Sequence, residues 1–224
     1  MKLLQEKALR SRQRKLFEMY PDRGPLRRDL YGKHLAFFSD GKRYRERLFL
    51  AANRVGKTEG AGGYETALHL TGLYPRWWKG WRFARPIKAW AAGDTRETTR
   101  DIVQAKLLGP LDEMGTGLLP GRFILSFKRK SGVQDSVDFV KVRHVSGGTS
   151  VLKFKSYDQK RHAFQGTEQD LIWLDEEPPL DVYSECLVRT MTTNGRLMLT
   201  FTPLKGISDV VMAFLPGGKL PEDR

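Results

Sequence analysis

Apolar residues recur along the chain in two rhythms. Short, mainly apolar runs, each interrupted at most once by a polar residue, stand at Leu48–Ala52, Ile87–Ala92, Val151–Phe154, Leu171–Leu174 and Leu197–Phe201. A strand covered on both faces has no polar side to show, so these runs predict buried strands. Helical spacing fills the intervals. Leu3, Leu4, Ala8, Leu9, Leu16 and Phe17, with Arg and Lys between them, predict an amphipathic helix over 3–19, broken by Pro21 to Pro25. A shorter helix is expected through Leu30–Phe38, ending near Ser39-Asp40-Gly41. Thr58–Leu70 reads as a helix, and Asp94-Thr95 would cap another from Arg96 to Leu108. Between Gly109 and Gly148 the signal weakens to Gly, Pro and strand-like pieces such as Val137–Val145, which predict an insertion or hairpin. Pro216-Gly217-Gly218-Lys219-Leu220-Pro221 reads as a linker. Interleaved strands and helices imply an α/β fold with a mainly parallel central sheet flanked by helices. The expected division is a basic helical extension over 1–40, a core over 41–212 and a linker over 213–224.

Composition adds a partner class. The chain has 224 residues, 39 Lys+Arg against 26 Asp+Glu, and a formal net charge of +13. The excess is uneven, with 14 basic and 6 acidic residues in the first 49. That pattern fits a surface for nucleic acid or another polyanion, and equally a solvated basic arm. The single cysteine, Cys186, excludes an internal disulfide framework, argues against a cysteine-based zinc cluster and reads as a small buried residue. No apolar run approaches the ~18 residues of a membrane span. The basic start lacks the apolar stretch of a secretory signal.

Chemistry concentrates at a strand-to-helix turn. Ala51-Ala52-Asn53-Arg54-Val55-Gly56-Lys57-Thr58 matches the phosphate-loop pattern G-x-x-x-x-G-K-[ST] except for Ala51 at its first position. Gly56 lets the backbone curl so that successive N–H groups face a phosphate, and the following helix adds its positive end. Lys57 would reach the β- and γ-phosphates of ATP, and Thr58 would offer its hydroxyl to Mg²⁺. Ala52, Asn53, Arg54, Val55 and Glu59 complete the nucleotide-contacting stretch. Arg54 would face the γ-phosphate, lie at the surface or pair with a carboxylate. An ordinary turn with a solvated lysine has the same local look; the flanking strand and helix favour the phosphate loop.

A second motif supports it. In Leu171-Ile172-Trp173-Leu174-Asp175-Glu176, an apolar strand ends in two acids, at the sheet edge where ligands of open α/β folds sit. Asp175 would hold Mg²⁺, directly or through water, and Glu176 would orient and deprotonate the attacking water. Leu197-Met198-Leu199-Thr200-Phe201-Thr202-Pro203 ends a further strand in the hydroxyls of Thr200 and Thr202, which could sense the γ-phosphate. The tryptophans Trp77, Trp78 and Trp81 are read as a local core rather than as a base-stacking platform.

These segments together resemble the ATPase domain of the large terminase subunit of tailed bacteriophages, over roughly His34 to Val211. The segments are Ala-Ala-Asn-Arg-Val-Gly-Lys-Thr-Glu-Gly at 51–60, Ile-Trp-Leu-Asp-Glu-Glu-Pro-Pro at 172–179 and Leu-Thr-Phe-Thr-Pro-Leu-Lys-Gly at 199–206. The resemblance implies a P-loop NTPase with a RecA/ASCE-like sheet that couples Mg²⁺-dependent ATP hydrolysis to translocation of double-stranded DNA into a preformed capsid. It implies a homo-oligomeric ring, expected to be a pentamer, docked on a portal protein and working with a small terminase subunit in the cytoplasm of an infected bacterium. It assigns Thr200 and Thr202 to a coupling motif and Tyr31-Gly32-Lys33-His34 to adenine recognition, with His34 where the family often carries Gln. It also implies an arginine supplied by a neighbouring subunit, for which Arg161 is the first candidate and Arg143 and Arg100 are alternatives. Full-length members carry a C-terminal nuclease, so 224 residues are expected to be a motor domain without DNA cleavage. Two other readings stay open: a helicase-like DNA-dependent ATPase, and a non-catalytic basic DNA-binding module with a vestigial phosphate loop. A nucleotide kinase fits less well, since the acidic pair suits activation of water.

Overall fold

The apolar runs pair side by side. In a computed structural model, which describes residues 14–204 and 206–215, they form five adjacent strands, from one edge inward, of a seven-stranded sheet. The strands are β1 (Glu46–Leu50), β2 (Lys88–Gly93), β3 (Ile124–Arg129), β4 (Val137–Arg143), β5 (Thr149–Ser156), β6 (Leu171–Asp175) and β7 (Arg196–Phe201). Their spatial order is β1-β7-β6-β2-β5-β4-β3. The first five pair in parallel, while β4 and β3 add an antiparallel edge. β7 lies between the strand leading into the 51–58 loop and the strand ending in the acids. The fold is thus the RecA/ASCE-like α/β arrangement, with its central strands β7, β6 and β2 buried on both faces.

Four helices matter for the site: α1 (Gly32–Asp40), α2 (Tyr64–Thr71), α3 (Leu180–Met191) and α4 (Asp209–Ala213). Period-2 alternation sorts the strand side chains into two cores. Ala89, Ala91, Trp173 and Met198 face α1 and α2, where Phe38, Tyr64 and Leu68 are buried. Trp90, Ile172, Leu174, Leu197 and Leu199 face α3 and α4, represented by Val182, Cys186 and Val210. Leu16 and Tyr20 are buried in the first core beside Trp78, so Trp78 is core. Cys186 is fully buried.

Some elements depart from the sequence expectation. The helix after the loop begins as a π-helical stretch, Lys57–Gly63, before α2. Its glycines admit a bulky neighbour: a Cβ on Gly62 would lie 2.1 Å from Trp173 Nε1. The helix predicted over 96–108 is three pieces, Arg96–Thr98, the π-helical Thr99–Gln104 and Ala105–Leu108, capped by Thr95 in a capping box with Thr98. The insertion region supplies the β3–β4 hairpin. α3 is an element the sequence reading missed. The first part of the predicted 3–19 helix and most of the 213–224 linker lie outside the described residues; Lys15–Glu18 is helical.

One buried charge network ties the first core together. Arg47 on β1 donates to both carboxylate oxygens of Glu65 on α2, at 2.6 and 3.0 Å. His69 Nε2 lies 3.0 Å from Glu65 Oε1, and its Nδ1 lies 2.8 Å from the Tyr74 hydroxyl. A buried pair of this kind is costly to break, because removing one partner strands the other charge.

Candidate functional site

The site lies where β1, β6 and β7 end. β1 leads into residues 51–56, which curl through left-handed backbone at Arg54 (φ 65°) and Gly56 (φ 82°). Such φ values favour glycine, which is why the motif needs Gly56. The curl turns Lys57 inward: it is buried, and its Nζ donates to the Ala52 carbonyl at 2.6 Å and to Thr202 Oγ1 at 2.7 Å. Burial lowers the Lys57 pKa, and the carboxylates of Glu176 and Asp175 oppose that shift.

The next residue meets the acidic strand. Thr58 Oγ1 donates to the Asp175 carboxylate, 3.0 and 3.1 Å from its two oxygens. Thr200 Oγ1 donates to Asp175 Oδ1 at 2.7 Å and accepts from Trp173 Nε1 at 2.8 Å. Asp175 is buried, and burial pushes its pKa up to about 7 despite the two hydroxyls. Parallel register explains the contact, since Asp175 stands opposite Thr200. Thr202 closes the other side, its hydroxyl 2.9 Å from the Ala51 carbonyl and 2.8 Å from Asn53 Oδ1.

Glu176 follows in a left-handed conformation, φ 65°, strained for a residue with a side chain. Two contacts hold it there. Its N–H donates to the Thr200 carbonyl at 3.1 Å, and the buried Tyr157 hydroxyl lies 3.1 Å from its carbonyl and 2.9 Å from that of Asp175. The Glu176 carboxylate is half-buried and has no hydrogen-bond partner among the described residues. Burial raises its pKa, opposed by Lys57 and aided by Asp94.

Beside the loop opens a cavity of about 640 Å³, lined by Tyr20, Leu26, Tyr31, His34, Gly56 and Gly60 among others. His34 Nε2 lies 3.0 Å from the Val55 carbonyl, which can only accept, so Nε2 carries a proton. Burial holds the His34 pKa below its usual value, so the ring is neutral and Nδ1 accepts. The Tyr20 proton is then shared between His34 Nδ1 at 2.6 Å and the Gly60 carbonyl at 2.7 Å. His34 therefore supports the loop from behind while walling the cavity.

The expected site residues divide into two groups. Lys57, Thr58, Asp175, Glu176, Thr200 and Thr202 converge with Ala52 and Asn53. Glu59 is turned aside into ion pairs with Lys15 and, at 3.0 Å, with Lys106. Val55 and Arg54 are exposed, and Arg54 has no ion pair among the described residues. Arg161 stands apart on the turn Arg161–Phe164, its Nε donating to Glu185 at 2.9 Å, while Arg189 holds the other Glu185 oxygen at 3.0 Å. Arg100 pairs with Asp101, and Arg143 lies on β4. Tyr20, Tyr157 and Trp173 were missed as site residues, since only the fold brings their polar tips to the loop and the acids.

The donor set suits Mg²⁺. Among the described residues no cluster of three or more His, Cys, Asp or Glu could hold a metal. The Thr58 hydroxyl and Asp175 carboxylate offer a partial set of hard oxygens, as for an ion that keeps waters and takes phosphate oxygens as ligands.

Residues 48–220 match the family described as terminase large subunit, T4likevirus-type, N-terminal. The large terminase subunit of Salmonella phage P22 is 40% identical over 205 residues, covering 83% of this chain and 41% of that protein. The chain thus spans about two fifths of that relative's length. Two structures of the large terminase of the thermophilic bacteriophage D6E, one of them in complex with ADP, each superpose with a TM-score of 0.48 at 14% identity over 85% of this chain and 38% of that one. No helix among the described residues is long and apolar enough to cross a membrane. With a family match across most of its length, the chain belongs to the terminase large subunit family, in its T4likevirus-type N-terminal region.

Proposed function

We propose that this chain is the ATPase motor of a DNA-packaging terminase, hydrolysing ATP to move double-stranded DNA into a procapsid. The observation that carries the reading is the contact of Thr58 with Asp175, 3.0 Å, on one ledge with Lys57 and Glu176. Gly56 and the start of the π-helical stretch would cradle the phosphates. Lys57 would leave the Ala52 carbonyl and Thr202 for the β- and γ-phosphates, freeing Thr202 to register whether a γ-phosphate is present. Thr58 and Asp175 would hold Mg²⁺, which when bound neutralises the charge that builds on the β- and γ-oxygens. Glu176, fixed in its strained turn, would orient a water and take its proton; burial suits the base by raising its pKa. The adenine would occupy the cavity at Tyr31 and His34. Arg54 would reach the γ-phosphate in its own subunit, and Arg161 would reach that of a neighbour.

In this reading the assembled form is a homo-oligomeric ring, pentameric, on a portal with the small terminase subunit, in the cytoplasm of the infected bacterium. The test is a pair of variants. Lys57→Ala should abolish binding of a fluorescent ATP analogue. Glu176→Gln should bind it as the wild type does while turnover falls by ~10²–10⁴. A Glu176→Gln protein that hydrolyses ATP at the wild-type rate would reject the mechanism.

A further inference from the structure

The sheet face opposite α2 is only half covered. The core under α3 and α4 takes Trp90 and Ala92 from β2, and none of its residues comes from β3, β4 or β5. On those strands the same face carries charge instead. Lys128 stands opposite Phe139, and Ser126 opposite Lys141. Phe139 stands opposite Lys153, and Lys141 opposite Val151. Val151 in turn faces Lys88, and Lys153 faces Trp90. Lys128, Lys141, Lys153 and Lys88 therefore form a zigzag across four strands, each diagonal to the next at about 7–8 Å. All four are exposed, and none has an ion pair among the described residues.

Two further cations flank the row. Arg143 is exposed opposite Thr149. Lys155 lies with its Nζ 4.3 Å above the Trp90 ring, donating to the Ala163 carbonyl. Asp138, half-buried, acts on Lys155 and Lys130 here, and Asp158, which also pairs with Arg96, acts on Lys130. Two acids among seven bases, Lys130 included, leave the face positive.

We propose that this bare face of β5, β4 and β3, with Lys88 at the start of β2 as its border, binds the phosphate backbone of double-stranded DNA. The inference deepens the DNA-translocation reading above and rests on it. Three features select a duplex backbone. Lysines on flexible stems are point charges suited to phosphates without reading bases. The row spans three strand spacings, roughly 14 Å, over which a duplex presents roughly eight phosphate charges. A protein partner fits poorly, because lysine is depleted at protein interfaces and this face centres on lysines, with Phe139 and Val151 half-buried between them. The row begins at Lys88, the first residue of β2, whereas the nucleotide site lies at the strands' C-terminal ends. DNA and nucleotide would therefore bind at separate places on one sheet.

The test is binding of a labelled random-sequence duplex across a salt series, with K128A/K141A/K153A beside the wild type. The side chains are exposed, so the fold should be unaffected, and ATP-analogue binding should be equal in both proteins. Losing three phosphate contacts should lower the slope of log K against log [salt] by roughly 2–3. A K42A/R43A control, which removes exposed charges before β1, should keep the wild-type slope. Equal slopes for the triple variant and the wild type would overturn the assignment, as would a wild type that binds no duplex or that binds heparin in preference to DNA. ATP turnover is read separately. A wild type that binds duplex through these lysines without hydrolysing ATP would support the face and sink the motor reading alone.

Discussion

At the scale of residues, the site is held by hydroxyls and one indole rather than by ion pairs. Thr200 accepts a hydrogen bond from Trp173 Nε1 and donates one to Asp175, so three buried side chains form one directed chain of hydrogen bonds. Thr200→Val removes the middle member at nearly constant volume. It leaves the Trp173 N–H without an acceptor, and a stranded buried donor costs about 1–3 kcal/mol. Trp173→Phe also destabilises, through lost packing and the lost bond. In the double variant no indole N–H is left to strand, so the combined loss should fall short of the sum by at least ~0.5 kcal/mol. Urea midpoints of the four proteins measure this, and strict additivity would show that the chain of bonds carries no coupling.

At the scale of elements, the π-helical stretch Lys57–Gly63 and β6 are fitted to each other. Gly62 lies against the fully buried Trp173, and an added Cβ would meet Nε1 at 2.1 Å and Cε2 at 2.3 Å. Alanine is favoured over glycine in a helix by about 1 kcal/mol. Overpacking costs about 1–3 kcal/mol, and here it would also displace the indole that orients Thr200. Gly62→Ala should therefore be net destabilising and should slow ATP turnover; an unchanged or higher urea midpoint would contradict this fit. The same elements show what a sequence can reveal. The loop and the acidic strand end were legible because their chemistry is local: Gly56, Lys57 and Thr58 are adjacent, and Asp175 ends an apolar run. α3 was not, because its buried positions Val182, Cys186 and Thr190, at spacings of four, mix a β-branched residue, a cysteine and a hydroxyl among charges. Nor were the clamps. Tyr20, Tyr157 and Trp173 are aromatic residues like any others until the sheet order delivers their polar tips.

At the scale of the molecule, two couplings follow. The first is to pH. The Glu65 carboxylate only accepts, so neutral His69 donates from Nε2, and its Nδ1 accepts from Tyr74. Burial lowers the pKa of His69, as it does for His34 and His144. The unfolded chain then binds more protons than the folded one below about pH 6.5, so stability falls as pH drops through that range. Arg47 and His69 hold the Glu65 pKa down against burial, which adds a second loss below the ordinary carboxylate value. Asp175 and Glu176, whose pKa values burial raises, add stability over the same range and oppose this loss. It is therefore read in D175N/E176Q, whose urea midpoint should decline from pH 7 to 5.5 and again below 4.5; a flat curve to pH 5 in that variant would mean that these histidines are protonated in the fold. The second coupling belongs to the proposed ring and runs between its subunits. Arg161 is partly exposed, and its partner Glu185 keeps Arg189 if Arg161 leaves, so turning Arg161 outward costs little. An arginine entering a neighbour's phosphate site is worth ~10³–10⁵ in rate. ATP turnover per subunit should therefore rise steeply with protein concentration, and Arg161→Ala should flatten that rise while leaving nucleotide affinity unchanged. Wild-type turnover that stays constant with concentration would rule out completion of sites between subunits. A rise that survives Arg161→Ala would pass the role to another arginine, with exposed Arg143 and the Asp101-paired Arg100 the next to replace.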